Sequence, residues 1–200
     1  ADNQLQISES FFNSDFWYRD EFEVPADFKQ DRVFLNFDGI NWKANVYVNG
    51  KQAGRIEGAF MRGKFDVTDL IVPGKNVVAV EIIKNQHIGA IKEKNAQSTD
   101  FNGGILGADN PTFHATIGWD WIPTMRGRNI GIWNDVFLTT TGKVTVADPL
   151  VKSVLPLPDT TSAKLTAEVI VKNHDANAVK GMLEGKIGDI TFQQPVELAA

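Results

Sequence analysis

Apolar and polar side chains alternate through the first half of the chain with the period of a strand. Tyr18, Asp20, Phe22 and Val24 alternate with Arg19, Glu21 and Glu23, which predicts a strand with one wetter face, ended by Pro25. Val33, Leu35 and Phe37 share one face of a second strand from Arg32 to Phe37, and Phe37 to Gly39 supplies a turn. Ala44, Val46 and Val48 repeat the scheme against Asn45, Tyr47 and Asn49. Asn49-Gly50 is a strong hairpin signal, because a type I′ turn needs positive φ at both central residues, so Lys51 to Ile56 is predicted to run back alongside. Within Phe65 to Leu70, Thr68 or Asp69 is placed to cap a single helical turn. After the Pro73-Gly74 turn, Asn76 to Ile83 is rich in β-branched residues and carries one charge, which predicts a strand buried on both faces.

The regularity stops at Lys84. Lys84 to Pro111 is irregular, with Gly103-Gly104, Gly107 and Asn110-Pro111, and a loop of that length inside a compact domain is either functional or disordered. Through Thr112 to Ile117 it leads into GWDWIPTMRGRNIGIWNDVFL, Gly118 to Leu138, which holds three of the five Trp residues. Pro123, Gly127 and Gly131 interrupt any steady period there, so the segment reads as a loop returning on a strand of Ile132, Trp133, Val136, Phe137 and Leu138. Thr141 to Pro149 changes texture and reads as a hinge. Beyond it, Val151 to Leu155, Ala163 to Lys172 and Val179 to Ile187 are predicted strands, with Leu165, Ala167, Val169 and Val171 on one face. Many short strands with almost no helical period predict an all-β sandwich.

Composition narrows the function classes. A chain of 200 residues, 42% apolar and 22% charged, can bury one good core or two small ones. Its net charge of -5 offers no overall attraction to nucleic acid or to an anionic membrane, and neither is expected as a partner. Zero Cys excludes disulfides, thiolate metal sites and a cysteine nucleophile. No apolar run approaches the ~20 residues of a membrane helix, and the polar start ADNQLQISES does not read as a signal peptide. His87, His114 and His174 lack metal-ligand spacing, and Gly103-Gly104-Ile105-Leu106-Gly107 lacks the order of a phosphate cradle, so no metal or cofactor is expected. The lysines between Lys84 and Lys94 serve either as a basic lip for an acidic saccharide or as a solvated loop.

The Trp-rich loop carries the candidate chemistry. A pyranose presents an apolar C–H face that stacks on an indole and a rim of hydroxyls that require charged or amide partners. Trp119, Asp120, Trp121 and Arg126 bring those groups together in one loop. GWDWIPTMRGRNIGIWNDVFL closely resembles the motif that closes the N-terminal sugar-binding domain of glycoside hydrolase family 2, in the branch with β-mannosidases and exo-β-glucosaminidases. FWYRDEFEVP (Phe16 to Pro25), VNGKQAGRIEGAF (Val48 to Phe60) and FDVTDLIVPGKNVVAVEI (Phe65 to Ile82) extend the resemblance in the family's order.

The resemblance implies a jelly roll of the galactose-binding-like type over residues 1–145 and part of an immunoglobulin-like β-sandwich over residues 146–200. An immunoglobulin-like domain takes about 100 residues and ~7 strands, so the second domain is expected to be truncated or an incomplete sheet with an exposed edge. In the family both catalytic glutamates lie on a (β/α)₈ barrel, the acid/base one after an Asn, and this chain has no Asn-Glu dipeptide and no βα repeat. No pair of glycosidase carboxylates is recognisable, so these residues are not expected to be a glycosidase by themselves. The resemblance instead implies recognition of a terminal β-linked sugar beside a barrel that this chain lacks, in a periplasmic or extracellular enzyme.

The acidic position of the family motif maps onto Asp120, which either accepts two sugar hydroxyls or caps a backbone N–H. One of Trp119 and Trp121 is expected to wall the sugar site while the other fills the sandwich. Arg126 and Arg128 either orient a substrate oxygen or pair with Asp120 or Asp135 to hold the loop. Trp133 and Asp135 are expected to be structural, with Trp133 packed in the domain. His114 reads as a core or surface residue rather than a catalytic one. An independent carbohydrate-binding module and a structural spacer are the alternatives to a recognition domain.

Overall fold

In the computed structural model the described residues are 8–28, 31–58, 60–87, 90–91, 104–105 and 130–200, and they divide between two compact units, Ala1–Thr140 and Thr141–Ala200. The strands in chain order are β1 (Phe16–Val24), β2 (Arg32–Phe37), β3 (Ile40–Asn41), β4 (Lys43–Val48), β5 (Lys51–Glu57), β6 (Gly63–Asp66), β7 (Gly74–Ile82), β8 (Ala90–Ile91), β9 (Gly104–Ile105), β10 (Gly131–Ile132), β11 (Val136–Thr141), β12 (Val144–Val154), β13 (Lys164–Asn173), β14 (Val179–Ile187) and β15 (Ile190–Leu198). The fold is all-β, as the alternation predicts.

The first unit is a jelly-roll sandwich. One sheet has the order β1-β7-β4-β5, the other β11-β2-β6, and β10-β3 and β8-β9 form separate short pairs. The alternation seen in the sequence becomes the core: Val33, Leu35 and Phe37 of β2 face Ala44, Val46 and Val48 of β4, with Val80 and Ile82 of β7 beside them. Phe37 lies edge-on to Phe65, 6.1 Å between centroids. Each such apolar side chain contributes ~1.5–3 kcal/mol when removed from water, which fixes strand register because a slip of one residue would turn the whole set outward.

Asn49 and Gly50 form the β4–β5 turn with φ of 49° and 79°, the predicted conformation, and Val48 pairs with Lys51. β7 is central, paired with β1 and β4, yet buried mainly on one face, by Asn76, Val80 and Ile82; Val77, Ala79 and Glu81 on the other are half-buried, so the expectation of burial on both faces is corrected. The single turn after β6 is capped by neither Thr68 nor Asp69. Asp66 Oδ1 accepts from Thr68 N at 3.0 Å and Thr68 Oγ1 at 2.6 Å, while Thr68 Oγ1 accepts from Val33 N, which ties the turn to β2.

The second unit contains two antiparallel pairs, β12-β13 and β14-β15, four of the roughly seven strands of an immunoglobulin-like sandwich. The division between the two units falls at Thr141, where the segment Thr141 to Pro149 begins, and most of that segment is strand. β12 starts at Val144 and absorbs the irregularity as a bulge between Ala147 and Leu150, where Asp148 takes φ 51°. Leu165, Ala167 and Val169 of β13 share a recess of about 550 Å³ with Leu183 of β14 and Ile190 and Phe192 of β15. Leu165 and Ile190 remain exposed, as do Leu150 and Val154 of β12.

Candidate functional site

The chain returns from the Trp-rich loop along one rim of the first unit. Gly131 pairs with Asn41 and Ile132 with Ile40, after which Trp133 N donates to Gly39 O at 3.1 Å and Asp38 N donates to Asp135 O at 3.0 Å. Two glycines permit this seam. A Cβ on Gly39 would lie 2.4 Å from Cε2 of Trp133, and one on Gly131, whose φ is 136°, would lie 2.7 Å from the Tyr18 hydroxyl. The strand expected from Ile132 to Leu138 is therefore two strands, β10 and β11, separated where Asp135 N turns to its neighbour's Asn134 Oδ1.

Beside the seam lies the turn that follows β5. Gly58 N donates to Trp42 O at 2.7 Å, and Met61 N to Gly58 O at 3.4 Å. This brings Phe60 edge-on to Trp133, with 6.5 Å between centroids and an interplanar angle of 83°. Trp133 is 46% exposed, so it is not the packed core residue expected from the sequence: its indole lies over the backbone at Gly39 instead of entering the sandwich. Phe60 and Met61 are exposed too, and Arg62 Nε lies 3.4 Å from Asp38 Oδ1. Behind this rim Trp42 Nε1 donates to the buried Asn85 Oδ1 at 2.9 Å, and the Lys43 ammonium stands 4.1 Å from the Trp42 ring centroid.

Trp119, Asp120, Trp121 and Arg126, together with Arg128 and His114, lie outside the described residues. What the structure supplies for them is the anchorage of their loop at Ile130–Trp133. The sequence reading overlooked Phe60, Met61 and Arg62; the signal was an apolar pair between Gly58 and Gly63 with no strand period to bury it. The rim joins aromatic surface to an ion pair, the combination that suits a sugar ring. Among the described residues no cluster of His, Asp or Glu could hold a metal ion. A separate apolar recess of about 390 Å³ opens between β1 and β11, lined by Phe22, Val24, Phe28, Leu35 and Leu138, with Asp20 and Glu23 at its lip.

Residues 1–134 match the family described as glycosyl hydrolase 2 galactose-binding domain-like. The chain belongs to this family. The chain is 32% identical to an exo-β-D-glucosaminidase of Streptomyces avermitilis over 99% of its own length and 20% of that protein's. It is 40% identical to the mannosylglycoprotein endo-β-mannosidase of Lilium longiflorum over 66% of the chain and 14% of the relative. In structure it superposes on the exo-chitosanase of Amycolatopsis orientalis with a TM-score of 0.72 and 25% identity, covering 100% of this chain and 21% of that one. The chain thus spans about a fifth, or less, of the length of these glycoside hydrolase family 2 relatives.

Proposed function

We propose that this glycoside hydrolase family 2 domain recognises the terminal sugar for a β-glycosidase whose catalytic carboxylates lie on a (β/α)₈ domain outside these 200 residues. The observation that carries the reading is the likeness to an exo-β-D-glucosaminidase across nearly the whole chain but only a fifth of the relative. In this reading the Asp120 carboxylate accepts two sugar hydroxyls, Trp119 or Trp121 walls the ring, and Arg126 orients an oxygen or holds the loop. The seam at Gly39, Asn41 and Gly131 fixes the end of that loop, which supports precise placement of its side chains. The enzyme so built hydrolyses terminal β-glycosidic bonds and works in the periplasm or outside the cell.

The decisive experiment is Asp120→Ala in the polypeptide that carries the catalytic domain, assayed on aryl β-glucosaminide and β-mannoside. Loss of kcat/KM on one substrate with unchanged folding supports the reading and names the sugar. Unchanged kcat/KM on a substrate that the wild type hydrolyses removes Asp120 from the site.

A further inference from the structure

The outer face of the sheet β1-β7-β4-β5 bears rows of aromatic and polar side chains. Trp17 of β1 pairs with Glu81 of β7, Glu81 with Asn45 of β4, and Asn45 with Arg55 of β5. These four residues therefore lie side by side across the sheet on one face, while in the neighbouring row Ala44, Ile56 and Ile82 are in the core and Phe16, at the β1 end, is exposed. In the next outward row Arg19 pairs with Ala79, Ala79 with Tyr47, and Tyr47 with Gln52. Trp17 is 57% exposed and Tyr47 half-buried, and their rings adjoin with 5.6 Å between centroids and planes 33° apart.

The polar members are already oriented. Asn45 Nδ2 donates to Glu81 Oε2 at 2.8 Å, and Gln52 Nε2 donates to Asn45 Oδ1 at 3.5 Å. Arg55 is drawn to Glu57, with Nη2 and Oε2 2.9 Å apart. A short aromatic strip is thus bordered by an amide, a carboxylate and a guanidinium held on rigid strands. At ~4.8 Å between neighbouring strands, a row crossing three gaps is about 14 Å long, wider than one pyranose.

We propose that this face binds a β-linked oligosaccharide, with pyranose C–H faces on Trp17 and Tyr47 and hydroxyl or amino groups on Asn45, Glu81 and Arg55. The inference rests on the reading of the chain as part of a carbohydrate-active enzyme, and adds to it a second site away from the Trp-rich loop. A protein partner fits the face less well, because the centre of a protein interface is depleted in charged residues, whereas here the Glu81 carboxylate stands in the middle of the row. A saccharide meets both demands, since each ring has an apolar face and a hydroxyl rim. Glu81 also offers an acceptor to the ammonium of an amino sugar.

The test is a titration of the full chain, followed by NMR and Trp fluorescence, with β-1,4-linked glucosamine and mannose oligomers of one to six units. Wild type should bind oligomers saturably and more tightly than monosaccharide. Trp17→Ala should weaken binding about tenfold, the change produced by losing ~1.4 kcal/mol, and Tyr47→Ala and Glu81→Gln should weaken it too, with unchanged melting. Lys152→Gln, in the second unit, should leave it intact. Absence of binding at millimolar oligomer overturns the proposal, as does binding that ignores Trp17 and Tyr47 or disappears only with Asp120→Ala. So does a wild type that self-associates through Trp17 without binding sugar. Hydrolysis by the longer enzyme and its loss on Asp120→Ala judge the recognition reading separately, and that reading stands if only the sheet face fails.

Discussion

Asn76 Oδ1 accepts a hydrogen bond from Asn49 Nδ2 at 2.8 Å, which joins the β4–β5 turn to the start of β7. Asn76 is fully buried, and its other bonds run from Val72 N and to the carbonyls of Val72 and Gly74. Asn49 in turn accepts from Val77 N and donates to Leu70 O. Two side-chain amides thereby satisfy Leu70 O, Val72 N, Val72 O and Gly74 O around the turn into β7, and Val77 N within it.

Asn76→Ala should therefore destabilise the first unit more than an ordinary surface change, since each orphaned buried group costs ~1–3 kcal/mol. Urea unfolding would show this as a lower midpoint at constant slope. Asn76→Asp should be nearly as damaging, because it removes the donations to Val72 O and Gly74 O. A midpoint unchanged in both variants would show that water replaces the amide.

Gly39→Ala would force the Trp133 indole off its seat, since the new methyl would stand 2.4 Å from Cε2. Expected is a loss of ~1–3 kcal/mol and a shifted Trp133 indole resonance. Trp133→Ala should cost less than the ~3–5 kcal/mol of a fully buried Trp, because the ring is 46% exposed. A larger loss would show that the indole is a core residue after all.

If Asp120 accepts two charge-assisted hydrogen bonds from sugar, each is worth ~1.5–3 kcal/mol. The Asp120→Ala enzyme should then lose several kcal/mol of transition-state stabilisation, read from kcat/KM. A rise in KM with constant kcat would instead assign Asp120 to ground-state binding.

Lys143 Nζ lies 2.5 Å from Asp175 Oδ2, and Asn177 N donates to Asp175 Oδ1 at 3.1 Å. Lys143 first, then the Asn177 backbone, hold the Asp175 carboxyl below its ordinary value of 3.8. A depressed folded value means that the contact stabilises the second unit above the ordinary carboxylate range and is lost as pH falls below it. Carboxyl-carbon NMR should place the Asp175 titration below that of unpaired aspartates, and Lys143→Met should move it upward. Identical titrations in the two proteins would remove the ion pair as the cause.

The strands that were legible in the sequence are those where one face is buried. Val33, Leu35, Phe37 and Ala44, Val46, Val48 announce their pairing because period two and burial coincide. Asn49-Gly50 was legible for a different reason, being a local conformational demand that few residues meet. The Asp66 cap was not, because Thr68 and Asp69 carry equally apt side chains and only the contact of Thr68 with Val33 decides among them. Nor was the placement of Trp133, since size and aromaticity favour burial and only the glycine opposite it reveals a surface seat. At the site, residue types in the Trp-rich loop suggested sugar chemistry, whereas the neighbourhood of Phe60, Met61 and Arg62 depends on a pairing between Gly131 and Asn41 far apart in sequence.

The bulge in β12 sets Asp148 and Pro149 against the single residue Val169, since Ala147 pairs with Ile170 and Leu150 with Glu168. Val146 and Val151, five positions apart, consequently face the same way as Val171 and Ala167. Removing Asp148 would shorten the strand and leave both flanking registers as they are, whereas removing a residue elsewhere in β12 would slide half the ladder and turn one set of valines around. The bulge is thus a splice point, a place where the chain tolerates a change of length without either side exchanging its neighbours.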